Sequence, residues 1–201
     1  NAEKFINVLE WFISWEEDID AVLASDEYLS KSLDCEQKSQ WHQETLLEHL
    51  KMILDVVDKY ADVSDLRMLK LLTLFHDIWK PFVRAKKKDN LLRRWYKQIK
   101  WSSFSKKNGT LVDIPNYDDY QFLEHENFGA NAFISDYKNL LVENNVITND
   151  EAGLIEKVVR GHLVFHLNEG KSSIILCGVK YEDEKEAVRL GRIFSYCDGK
   201  G

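Results

Sequence analysis

Leu69-Lys70-Leu71-Leu72-Thr73-Leu74-Phe75-His76-Asp77-Ile78-Trp79-Lys80-Pro81 is the stretch that decides the reading of this chain. Leu66, Leu69, Leu72 and Phe75 repeat at helical spacing. Pro81 predicts that the helix stops before it, and Ser64-Asp65 offers a cap for its start. The helix is too apolar to lie on a surface, yet it closes on an imidazole and a carboxylate. Two such groups at the end of a buried helix need partners. A divalent cation is the most economical one, because neutral imidazole and carboxylate are both good ligands for first-row metals.

Outward from this stretch the chain reads as helices. Phe5, Ile6, Leu9 and Phe12, then Ile19, Val22 and Leu23, predict one or two helices before about residue 25. Residues 26–40 are polar and read as a loop. Leu46, Leu50, Ile53, Leu54 and Val57 form one stripe over Thr45 to Tyr60. Residues 87–100, 125–145, 150–167 and Glu182 to Cys197 predict further helices, with Thr148 and Glu151 as a capping box. Asn108-Gly109, between Trp101–Lys107 and Thr110–Ile114, is a hairpin signal. Ser172–Tyr181 is short and apolar, a strand or a buried loop. The expectation is one all-α domain with a small β-hairpin insertion.

Composition sets the bounds. The chain has 201 residues, 44% of them hydrophobic and 12% aromatic, enough for a full core and too many for disorder. No apolar run approaches the roughly 20 residues of a membrane span, and no signal-peptide pattern is visible. The three cysteines, Cys35, Cys177 and Cys197, form no tight metal-site spacing and no disulfide framework, which points to a reducing, cytoplasmic setting. Charge is unevenly spread. Between Lys80 and Lys107 eleven bases face one acid, Asp89, a net of +10 in a chain whose total is -7. Trp79, Phe82, Trp95, Tyr96, Trp101 and Phe104 are interleaved with them. Basic residues with aromatics suit a surface that holds nucleotide or single-stranded RNA, and they equally suit a solvated helix whose aromatics face the core.

Several segments, in order, resemble the HD superfamily of metal-dependent phosphohydrolases. Leu74-Phe75-His76-Asp77-Ile78-Trp79-Lys80-Pro81 looks like the superfamily signature, with Trp79 where Gly is usual. Trp41-His42-Gln43-Glu44, followed by His49, is similar to the entry to the HD region of CCA-adding tRNA nucleotidyltransferases. Phe122-Leu123-Glu124-His125-Glu126-Asn127-Phe128-Gly129-Ala130 resembles a later segment of that branch, with Glu124 where Gly is commoner. Val158-Val159-Arg160-Gly161-His162 and Leu190–Asp198 resemble the next two, with Cys197 in place of Ala. No nucleotidyltransferase head accompanies them, so CCA addition is not implied.

The resemblance implies an HD-type helical bundle with a small β-hairpin insertion. It would be a single domain over 1–201, with a core at 41–199, an N-terminal helical extension at 3–25 and a basic insertion at 82–118. It implies that His49, His76, Asp77 and Asp198 bind a divalent metal ion, one of Mn, Mg, Fe, Co, Ni or Zn. His125 and His162 match positions that in some HD proteins hold a second ion or contact phosphate, giving one or two ions per chain. Asp77 would orient or deprotonate a metal-activated water. Lys80 would meet the phosphate, and Arg84 further phosphates. Glu126 would support His125, while His42 braces the helix entry and His166 is structural. The implied activity is hydrolysis of a nucleotide or related phosphate ester. The alternatives are an HD module that binds or trims RNA through 80–107, or a non-catalytic nucleotide sensor. No membrane partner is expected.

Overall fold

The structure, a computed structural model, describes residues 1–14, 18–39, 42–86, 120–167, 175–176, 179–180 and 184–201. Helix α5 (Val63–Asp77) runs through its middle, and every residue from Leu69 to Asp77 is buried. A helix apolar on all sides must be covered on all sides. Its neighbours are α1 (Ala2–Ile13), α4 (Leu46–Tyr60), α7 (His125–Ala132), α9 (Asn149–Leu167) and α10 (Lys185–Asp198). Helices α2 (Ile19–Ser25) and α3 (Glu27–Ser30) link α1 to the segment before α4, so residues 26–40 hold a helical turn as well as loop. Phe5, Leu9 and Phe12 of α1 belong to the same core as Leu72 and Phe75. The buried Lys70 ammonium donates to the Phe12 carbonyl at 3.3 Å.

Local chemistry sets the helix ends. Thr45 caps α4 in a reciprocal box with Glu48, and Thr148 and Glu151 bond reciprocally at the start of α9. Helix α5 starts two residues earlier than the Ser64-Asp65 cap predicts, with Asp62 at the N-cap. Asp65 is used elsewhere: it accepts two hydrogen bonds from Arg189, at 2.8 and 2.7 Å, which clamp α5 to α10. Helix α7 passes through one π-helical turn (Phe133–Tyr137) into α8 (Lys138–Glu143). In that turn Phe133 and Tyr137 are buried, and the Tyr137 hydroxyl donates to Asp26 at 2.9 Å.

The expected β-hairpin insertion is corrected. Asn108-Gly109 and both predicted arms lie outside the described residues, as does the predicted helix over 87–100. Among the described residues the bundle is all-α and no hairpin stands in 82–118. After the short α6 (Lys80–Val83), β1 (Arg84–Lys86) pairs antiparallel with β2 (Tyr120–Phe122), Arg84 opposite Phe122. A turn dipeptide reports only on the runs that flank it. The pairing seen among the described residues lies outside both arms, between Arg84–Lys86 and Tyr120–Phe122. Between α9 and α10, Ile175–Leu176 and Val179–Lys180 form two-residue antiparallel pieces. Among the described residues no helix is long and apolar enough to cross a membrane.

Gly191 shows how closely α10 packs on α9. A Cβ there would stand 2.6 Å from Cζ of the buried Phe165 ring. Gly191→Ala is therefore expected to destabilise the fold by about 1–3 kcal/mol, the usual cost of overpacking, despite alanine's better helix propensity. Urea denaturation checks it, and an unchanged or raised midpoint would contradict the packing described.

Candidate metal centre

Five helices bring six polar side chains to one point inside the bundle. The buried stripe of α4 includes His49, the end of α5 supplies His76 and Asp77, and the last residue of α10 is Asp198. His125 opens α7, and His162 lies on α9. The four histidines and Asp77 are all buried.

Asp77 is the hub. Its Oδ2 lies 3.2 Å from His76 Nε2 and 3.7 Å from His49 Nε2, and it contacts the Lys80 ammonium. Asp198 Oδ1 approaches the same two imidazoles, 3.0 Å from His49 Nε2 and 3.7 Å from His76 Nε2. The other oxygen, Oδ1 of Asp77, lies 3.2 Å from His125 Nε2 and 3.7 Å from His162 Nε2. Those two nitrogens are 3.1 Å apart.

These contacts are close without being satisfied. His49 Nε2, His76 Nε2 and Asp77 Oδ1 are buried and have no hydrogen-bond partner. Ligand atoms about 2.0–2.2 Å from a tetrahedral ion stand roughly 3.4 Å from one another. Separations of 3.0 to 3.7 Å between the orphaned Nε2 atoms of His49 and His76 and the carboxylate oxygens that face them fit that spacing. The donor set fits the same ion, since borderline divalent metals take imidazole and carboxylate together. This is a buried His/Asp cluster capable of coordinating a metal ion. Two groups share Asp77: His49 with His76, and His125 with His162.

Electrostatics keeps Asp77 and His162 in ligand form. Burial alone would raise the Asp77 carboxyl, but the positive charges of His76 and Lys80 outweigh it and hold the group well below its ordinary range. Burial pushes His162 down to about 3, and the charge of His125 pushes the same way, so its imidazole is neutral. Burial also opposes the charged form of His76, but Asp77 more than offsets it and the net direction is up.

The other predicted residues are placed less uniformly. Lys80 reaches the cluster but is buried, donating to Gln37 Oε1 at 2.8 Å as well as meeting Asp77. Arg84 is exposed: its guanidinium lies 4.6 Å from the Tyr120 ring centre and donates to the Glu36 carbonyl at 3.4 Å. Glu126 Oε2 is 3.4 Å from His125 Nδ1. Trp79 is a core residue, stacked against Phe75, and Cys197 is buried, its thiol pushed up to about 11 chiefly by burial. Cys177, Trp41, Trp95 and the basic run from Lys87 to Lys107 lie outside the described residues. Sequence reasoning did not anticipate Gln37, which belongs to a polar loop and forms no motif with Lys80. Comparison with family models, with curated proteins and with solved structures gives no match.

A pH dependence follows from His162. Its folded value of about 3 lies below the ordinary 6.5, so the unfolded chain takes up a proton first. The stability tied to neutral His162 is present above pH 6.5 and is lost as pH falls from there toward 3. His42, also lowered mainly by burial, adds in the same direction, and His76, raised, opposes both. Metal-free protein is expected to lose denaturation midpoint steadily below pH 6.5, with a shallower slope in His162→Gln. Urea titrations at pH 5 to 8 read this out, and parallel slopes would remove His162 as the cause.

Proposed function

We propose that this chain is a metal-dependent phosphohydrolase, a single HD-type domain acting on a nucleotide or related phosphate ester. The observation that carries the reading is the double use of Asp77, whose two oxygens face two separate histidine pairs in one buried cluster. The order of the contributing residues along the chain supports it, because it follows the HD-like segments one by one. A bound divalent ion would be held by His49, His76, Asp77 and Asp198, with His125 and His162 facing a second ion or the phosphate. When bound, such an ion supplies Lewis acidity and a water of lowered pKa.

The chain's own groups do the rest. In hydrolysis water adds to phosphorus, the ester P–O bond breaks and the leaving oxygen takes a proton. Asp77, held ionised, can orient the water by accepting a hydrogen bond from it. The Lys80 ammonium lies beside Asp77 and would offset charge on a phosphate brought to the cluster. The base of a nucleotide has a surface to meet. Phe82, two residues after Lys80, and Phe128, one turn after His125, are exposed with nearly parallel rings 6.2 Å apart.

Protein loaded with Mn2+, Co2+, Ni2+ or Mg2+ is expected to release phosphate from one class among nucleoside mono-, di- and triphosphates, cyclic nucleotides and short RNA. His76→Ala should lower that rate by at least ~100-fold. Silence across the panel from protein shown by elemental analysis to hold metal would overturn the reading.

A further inference from the structure

Three of the four histidines in the cluster are anchored alike. Nδ1 of His76 donates to the Thr73 carbonyl at 2.9 Å, that of His125 to Phe122 at 2.7 Å, and that of His162 to Val159 at 2.6 Å. A carbonyl can only accept, so each Nδ1 carries a proton and Nε2, turned toward Asp77, is the nitrogen left to act as a ligand. His49 breaks the pattern. Its Nδ1 is fully buried and has no hydrogen-bond partner, and what faces it, 3.5 Å away, is Oε1 of Glu44.

Glu44 is held for that task. It sits one residue ahead of the capped start of α4, on the side where the His42 ring packs 4.2 Å from the His49 ring. Its Oε1 accepts from His42 Nδ1 at 2.6 Å and its Oε2 from the Gln43 backbone N–H at 2.9 Å.

We propose that Glu44 is a positioning residue of the metal centre: its carboxylate accepts the Nδ1–H of His49, fixes the tautomer that aims Nε2 into the cluster, and is itself held by His42. A carboxylate in this place makes the imidazole a stronger ligand than a carbonyl does. His49 would thus be the cluster histidine whose Nδ1–H goes to a carboxylate, where the other three give theirs to a carbonyl. The inference rests on the cluster binding a metal ion, and the test separates the two.

Co2+ titration of metal-free protein, followed by visible absorption, gives affinity and stoichiometry without turnover. Glu44→Ala should bind Co2+ about 10–100-fold more weakly than the wild type, with Glu44→Gln, which keeps an acceptor but loses the charge, in between. In Zn2+-loaded protein the Nδ1–H proton resonance of His49, assigned by its loss in His49→Gln, should move upfield in Glu44→Gln. A residue that merely shapes the loop would not shift it. If Glu44→Ala fails to fold, Glu44→Gln carries both measurements. Unchanged affinity with an unmoved resonance overturns the role of Glu44 alone. Loss of one whole ion at unchanged affinity would make Glu44 a ligand and overturns it too. A wild type that binds no Co2+ overturns the metal reading, and this inference with it.

Discussion

Everything in this fold answers to one carboxylate. Asp77 is buried at the end of the most buried helix, and a carboxylate there is tolerated only with polar groups brought to both oxygens. No single neighbouring helix can reach both. One oxygen is met from α4, α5 and the Lys80 side chain, and the other from α7 and α9. The bundle must therefore close around α5 on every side. The close seat of Gly191 against Phe165 and the Arg189–Asp65 clamp hold α10 so that its last residue, Asp198, arrives at the same point.

The short strand pairing belongs to this arrangement. The carbonyl that fixes His125 is that of Phe122, the last residue of β2, and Phe122 pairs with Arg84 at the start of β1. Between Phe122 and His125 the chain turns through Glu124 in a left-handed conformation with φ 55°, which costs a residue with a side chain about 1–2 kcal/mol. The ladder supports that turn. It also joins the two ends of the excursion, α6 with Lys80 at one end and α7 with His125 at the other, so groups distant in sequence stay fixed relative to Asp77.

Helices were legible in the sequence because their apolar period is a local quantity, and His76-Asp77 was legible because polar groups contradicted an apolar run. That the atoms of His49, His125, His162 and Asp198 meet there was suggested by the order of motif-like segments, since spacing along a chain does not encode proximity across a bundle. What escaped is chemistry between elements. Asp65 reads as a cap and serves as a clamp. Lys80 reads as a free cation and is buried against Gln37. The Asn-Gly turn signal overrode no competing pattern, yet the strands that pair, Arg84–Lys86 and Tyr120–Phe122, have three residues each and carry no alternation to detect. Glu44 looked like part of a helix entry because only the structure shows that His49 lacks the carbonyl its three counterparts have.

The two sides of Asp77 are chemically unequal. One side pairs two imidazoles with a second carboxylate, Asp198, while the described contacts on the other pair two imidazoles with each other. Because the Nδ1 atoms of His125 and His162 both donate to carbonyls, their Nε2 atoms, 3.1 Å apart, can form a hydrogen bond only if one of them also carries a proton. Without such a proton the two nitrogens and Asp77 Oδ1 face one another with nothing between them, where a cation would stand. An ion on this side would meet anionic oxygen from Asp77 alone, whereas an ion on the Asp198 side would meet it from both carboxylates. The same carboxylate thus borders two groups of donors that differ in anionic charge, and the group with Asp198 has the stronger pull on a cation.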